Sequence, residues 1–187
     1  MKKNKVVCIG EALIDRIRNK SNPGFTDFLG GAPANVACAL RKLNIDSIFI
    51  GTLGSDDFGR KFISQFNALE VNLDFLQLDN NSSTRVVNVD RDQFGDRFFS
   101  GFEAKSHSYF ADEVLSKKLI ENQLPDLEKL FLETKYLVTG TILLSSQMSS
   151  ETIFFLLEKA KKFQVKIIID LNWREVFWDY SNFSSEI

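Results

Sequence analysis

Four short apolar runs, each closed by a glycine or an aspartate, constrain this chain more than any other feature. They are Val6-Val7-Cys8-Ile9 before Gly10, Ser47-Ile48-Phe49-Ile50 before Gly51, Tyr136-Leu137-Val138-Thr139 before Gly140, and Val165 to Ile169 before Asp170. An unbroken apolar run of this length is the pattern of a strand covered on both faces, and Val165 to Ile169 reads as an interior strand. Between the runs lie segments of helical period. Pro33 to Leu43 places Val36, Ala39, Leu40 and Leu43 on one side. Asp56 to Leu69, capped by Ser55, aligns Phe58, Phe62, Phe66 and Leu69. A helix capped by Ser149 or Ser150 buries Ile153, Leu156, Leu157, Ala160 and Phe163. Strands alternating with helices predict an α/β fold, a mainly parallel sheet with helices on both faces.

Two segments break that rhythm. Ala12 to Lys20 and Arg85 to Phe102 are extended and mixed in polarity, and the second holds an Asp92-Gln93-Phe94-Gly95-Asp96 turn of hairpin type. Together they predict a small sheet projecting from the main one. A chain of 187 residues holds one well-buried core, and 18 phenylalanines make aromatic packing dominant there. The net charge of −2 argues against a nucleic-acid partner. No apolar run approaches a membrane span, and Lys2, Lys3 and Lys5 are not followed by the apolar stretch of a signal peptide. Cys8 and Cys38 read as buried free thiols of a reducing, cytoplasmic protein. His107, the only histidine, has no acid, nucleophile or metal ligand for a partner and reads as structural or solvent-facing. No metal site is expected from the residues.

Chemistry concentrates at Gly30-Gly31-Ala32-Pro33-Ala34-Asn35. Paired glycines let a backbone approach a ligand closely. Pro33 suits a first helical position. Asn35 then stands on the first turn, among free N–H groups and the positive end of the helix dipole. Such an entrance suits a small polyhydroxylated or anionic ligand.

At these residues the sequence resembles the ribokinase-like (PfkB) carbohydrate kinases. Gly10-Glu11-Ala12-Leu13-Ile14-Asp15, Gly30 to Ala37, and Gly51-Thr52-Leu53-Gly54-Ser55-Asp56-Asp57-Phe58-Gly59 follow that family's order and spacing. Asp170-Leu171-Asn172-Trp173-Arg174 with Phe177-Trp178 adds a match of the fructokinase-like kind. The resemblance covers essentially the whole chain. It implies Rossmann-like layering, with a small β-sheet lid built from about residues 12–32 and 85–105. It implies ATP and Mg2+ as cofactors, a small sugar as substrate, and a lid whose closure keeps water from the phosphoryl group. Asp15, Gly30, Gly31 and Asn35 match sugar-binding positions, while Asn172 and Arg174 match positions near the transferred phosphate or the substrate's polar end. The lid is also the surface on which a homodimer is expected.

Two departures qualify the resemblance. Where many members carry an aromatic followed by arginine, this chain has Phe102-Glu103. The Gly-Ala-Gly-Asp segment that carries the family's catalytic base is absent, as is any P-loop, so no catalytic residue is assigned and the base is expected beyond Ile187. The expectation is therefore the sugar-binding half of an ATP-dependent sugar kinase, truncated before its nucleotide-binding part and inactive alone. Fructose leads as substrate. A nucleoside or a 2-keto-3-deoxy sugar acid is the alternative substrate, and a non-catalytic sugar-binding or scaffold module the alternative class.

Overall fold

The computed structural model describes residues 3–19, 24–91, 97–103 and 107–178. The turn at Asp92 to Asp96 lies outside the described residues. The chain opens with β1 (Lys5–Ile9), β2 (Leu13–Arg18), β3 (Phe25–Gly30), α1 (Ala32–Lys42) and β4 (Ser47–Gly54). It continues through α2 (Asp57–Ala68), β5 (Leu76–Asp79), β6 (Ser82–Ser83), β7 (Val86–Arg91), β8 (Arg97–Phe102) and β9 (Tyr109–Phe110). It ends with α3 (Lys117–Glu121), α4 (Leu124–Glu133), β10 (Thr134–Thr139), α5 (Gln147–Lys162) and β11 (Lys166–Ile169).

The main sheet is parallel throughout, in the order β11-β10-β1-β4-β5. Strand alternation splits its core into two layers. Val7 and Ile9 face a cluster with Leu127, Phe131, Leu137, Ile153 and Leu156, contributed largely by α4 and α5. Val6 and Cys8 face Ala34, Ala37, Cys38, Phe62 and Phe66 of α1 and α2. Both faces are therefore covered, as the apolar runs predict. Phenylalanine supplies much of the second layer, with Phe49 and Phe66 ring centroids 4.9 Å apart. Cys8 and Cys38 are buried and free. Burial, with Cys38 adding, pushes the Cys8 thiol up to about 12, which keeps it unreactive at neutral pH.

Four local expectations change. Helix α1 buries Pro33, Ala34, Ala37 and Cys38 fully; of the predicted stripe, Val36 and Leu40 are partly buried against the same layer, while Ala39 is exposed and Leu43 is 69% exposed. Small side chains let this helix sit close on β1 and β4, so the larger residues fall to its flanks. Helix α2 is capped by Asp56, not Ser55, through a 2.8 Å hydrogen bond from the Gly59 N–H. Helix α5 is capped by Ser146. Ser149 instead is buried, donating to the Asp112 carbonyl and accepting from the Leu115 N–H. Strand β11 lies at the sheet edge, paired with β10 alone among the described residues, with Ile168 and Ile169 about half exposed.

The second sheet runs β3-β2-β7-β8, with β2 parallel to β7 and the other pairs antiparallel. Its β2, β7 and β8 come from the two irregular segments and β3 from just after the first, and the sheet stands beyond the carboxyl ends of the parallel strands.

Candidate functional site

Open α/β sheets place ligands outside the carboxyl ends of their strands. Here those ends carry Gly10-Glu11 after β1, Gly140 after β10 and Asp170 to Arg174 after β11. The four-stranded sheet rises over them.

Asp15 sits in β2, where alternation decides its surroundings. Leu13 packs with Val87 and Phe177, and Asp15 and Ile17 follow on that side, lining a cavity with Val89, Phe98, Phe99 and Arg174. Arg16 and Arg18 face the other way. Arg16 holds Asp27 through two hydrogen bonds of 2.7 and 2.8 Å and reaches Glu103 at 3.5 Å. Arg18 meets Asp90 at 3.3 Å. The Arg16 hydrogen bond holds the Asp27 carboxyl below its usual range. Glu103, at the position that departs from the family pattern, is engaged by Arg16.

Gly30 stands opposite Leu13 in the ladder. A Cβ there would lie 2.6 Å from Asp15 Oδ2 and 3.0 Å from its Cγ, so glycine makes room for the carboxylate. Gly31 is the N-cap of α1 with φ 94°, and a Cβ on it would lie 2.4 Å from the Glu11 carbonyl oxygen. Only glycine fits both the conformation and the contact.

The helix entrance is not the open anion seat that its sequence suggests. Glu11 Oε1 accepts the Ala32 N–H at 2.9 Å, so the protein's own carboxyl occupies it. Glu11 is only 2% exposed. Burial pushes its carboxyl up to about 7, partly offset by the N–H groups of Glu11 and Ala32, with Asp112 and Asp170 adding to the rise. Sequence reasoning passed over this residue, although an acid placed directly after a buried strand was a visible signal.

Asn35 is exposed on the first turn of α1, its N–H donating to the Gly31 carbonyl at 2.9 Å. Neither Asn35 nor Asn172 lines the Asp15 cavity. The Asn172 N–H donates to Asp170 Oδ1 at 3.1 Å and shapes the turn that presents Arg174. The Arg174 guanidinium lies 5.0 Å from the Phe99 ring centroid. Alongside, Trp173 and Trp178 stack at 4.4 Å with an interplanar angle of 15°. Asp15 and Arg174 therefore share the cavity, Gly30 borders the Asp15 carboxylate without lining it, and Asn35 and Asn172 stand outside.

The cavity holds about 200 Å³, below the roughly 300–1,000 Å³ of drug-sized sites. Its size and its aromatic wall, with one carboxylate and one guanidinium, suit a ligand no larger than a monosaccharide. A larger cavity of about 690 Å³ lies at the opposite end of the sheet, among Lys5, Arg41, Glu70 and Glu133. Those charges are paired with one another, Arg41 with Glu70 and Lys5 with Glu133, and the strand ends that carry chemistry are remote from it.

Arg85, at the root of β7, anchors the upper sheet. It is 4% exposed and bonds the Asp112 carboxylate at 2.8 to 3.1 Å, with Glu113 at 3.1 Å. Its guanidinium lies 4.1, 4.7 and 5.1 Å from the rings of Phe110, Phe102 and Phe177. His107 is not isolated: its Nδ1 is 3.2 Å from the Ser83 hydroxyl.

Comparison with known proteins gives a consistent picture. The family model described as pfkB family carbohydrate kinase matches residues 3–187. A fructokinase of Salmonella typhimurium is 31% identical over 174 residues, covering 93% of this chain and 52% of the relative. The crystal structure of a Xylella fastidiosa fructokinase with bound ATP aligns with a TM-score of 0.80 at 26% identity, covering 98% of this chain and 52% of that one. A Vibrio cholerae O395 fructokinase in fructose, ADP and calcium ion bound form aligns with a TM-score of 0.76 at 27% identity, covering 95% and 54%. The chain spans about half the length of the curated relatives it matches.

Proposed function

We propose, from the premise that this chain belongs to the pfkB family of carbohydrate kinases, that its cleft holds a small sugar, with fructose first among candidates, for phosphorylation by ATP. The observation that carries this reading is the cavity that Asp15 and Arg174 line together, with Gly30 leaving room for the Asp15 carboxylate. A carboxylate offers several acceptor sites for neighbouring sugar hydroxyls. Gly30 leaves it the room to turn toward them. The Phe98 and Phe99 walls suit the apolar face of a sugar ring. Arg174 supplies positive charge where a phosphoryl group would spread negative charge over its oxygens. Gly31 and Asn35 stand at the helix entrance and join the site on the family resemblance. The upper sheet excludes water, which would otherwise accept the phosphoryl group.

ATP would supply that group. Among the described residues no set of three or more acids, histidines or cysteines is placed to hold a metal ion, so Mg2+ is assigned no ligand here and no step is routed through it. The Gly-Ala-Gly-Asp segment is absent from the sequence. The 187-residue chain is therefore expected to bind sugar and not to turn over ATP alone.

Calorimetric titration of the chain with fructose tests this reading. Asp15→Asn should weaken binding about tenfold or more, since hydrogen bonds to a charged group contribute about 1.5–3 kcal/mol. Absence of fructose binding by the unaltered chain, or equal binding by Asp15→Asn, would overturn it.

A further inference from the structure

Among the described residues two acids are buried and unused by the sugar-holding reading, and of these Asp112 is paired with Arg85 whereas Glu11 has no cationic partner. Its Oε1 accepts from the first N–H of an 11-residue helix, α1. Its Oε2 is buried and has no hydrogen-bond partner among the described residues. That second oxygen lies beside Gly140, 3.8 Å from where a Cβ would stand. We propose that Glu11 is a proton-dependent positioning residue, whose neutral form ties the entrance of α1 to the end of β1 and so keeps Gly30 and Gly31 in place for the ligand. The proposal rests on the sugar-binding reading of that site.

The groups facing Glu11 decide the direction. From α1 it receives the Ala32 N–H, and its own backbone N–H also favours the charged form. From the turn Ala111–Glu113 it faces Asp112, and from beyond β11 it faces Asp170. The guanidinium that faces Asp112, Arg85, is committed to Asp112 and Glu113. Loss of the proton to solvent therefore leaves a buried carboxylate with one oxygen undonated and two like charges nearby. Such a group relieves its cost by moving toward water. It cannot move alone, because its oxygen holds Ala32 and its carbonyl is packed against Gly31. The displacement passes directly to Gly30, which borders the Asp15 carboxylate.

The test follows two signals in the 187-residue chain between about pH 5.5 and 8.5, a range that brackets the Glu11 carboxyl near 7. One is the fructose dissociation constant, and the other is the chemical shift of the Ala32 amide. In the unaltered chain, affinity should fall about tenfold across the range while the Ala32 amide titrates along the same curve. In Glu11→Gln, which stays neutral, both should be flat. An equal pH dependence of affinity in Glu11→Gln, or an Ala32 amide that does not titrate in the unaltered chain, overturns the proposal. If fructose fails to bind at every pH, the substrate reading falls. The amide still decides Glu11, because a titrating Ala32 supports its proton-dependent hold on the helix and a silent one refutes it. That signal also decides the matter if Glu11→Gln fails to fold.

Discussion

Replacing Arg85 with methionine should be among the most damaging single changes in this protein, and the structure supplies the size of the effect. Methionine keeps much of the volume against Phe102, Phe110 and Phe177 but removes the charge. Asp112, whose side chain is only 3% exposed, then loses its bidentate partner. Breaking a buried pair from one side costs about 3–5 kcal/mol. A desolvated cation over aromatic rings adds up to about 2 kcal/mol, and protonation of Asp112 returns some of the loss, so about 4 kcal/mol is expected. For a chain of this length each kcal/mol moves the melting temperature by about 2–4 °C, giving a drop of about 8–16 °C. Thermal unfolding followed by circular dichroism reads this directly. The second arm is the pair Arg85→Met with Asp112→Asn, which removes the stranded charge and should recover at least half of the loss. A single variant within about 1 kcal/mol of the parent, or a double variant as unstable as the sum of the two singles, would refute the reasoning. Because Arg85 also roots the upper sheet, Arg85→Met should weaken fructose binding as well.

Four other outcomes follow from the same structure. Gly30→Ala should cost little stability, because the obstructing atoms are the end of the Asp15 side chain, yet should abolish sugar binding; Gly31→Ala meets backbone at 2.4 Å with φ 94° and should lose about 3 kcal/mol or more in urea unfolding. Asp56→Ala removes acceptors from both the Gly59 and Thr84 N–H groups, at 2.8 and 2.7 Å, and should cost about 3 kcal/mol by the same assay. Glu11 should make stability fall as pH rises: its contribution is complete below the ordinary value of 4.5, is lost by about 7 and is level above that. The difference between the parent and Glu11→Gln across that window should be about 3 kcal/mol, and no difference would contradict the burial argument. The half-exposed apolar edge at β11 should drive concentration-dependent self-association, reduced in Ile168→Lys; a monodisperse parent in sedimentation velocity would exclude this.

The layered fold was legible because it depends on local pattern. Val6 to Ile9 is apolar at every position, and the two faces of β1 do meet two separate helical layers. The α1 stripe is half right: Val36 and Leu40 do pack against the core, but the fully buried positions are the small Ala34 and Ala37, which an apolar period weighted by side-chain size does not single out. The caps of α2 and α5 lay one and three residues from the predicted serines, since Ser, Asp and neighbouring hydroxyls satisfy the same first-turn N–H groups. Asp15 and Gly30 could be read as a pair only through the family resemblance. The Glu11 bond to Ala32 and the Arg85 pairing with Asp112 join residues 21 and 27 positions apart, and no local period encodes such contacts. Arg174 reaches the cavity for a similar reason, through the turn that Asp170 imposes on the chain after β11.

The stacked tryptophans carry a practical consequence. Trp173 and Trp178 are the only two in the chain, and their indoles are nearly parallel at 4.4 Å beside the arginine that walls the cleft. Transition dipoles so close couple as an exciton, which splits the circular dichroism of the indole band and quenches its emission. The molecule thus contains its own optical gauge, uncontaminated by indoles elsewhere. Phe177 precedes Trp178 in the chain and packs on Phe99 and Phe102 of the upper sheet, so a closing of that sheet on a ligand would register, without a label, in the overlap of the two indoles.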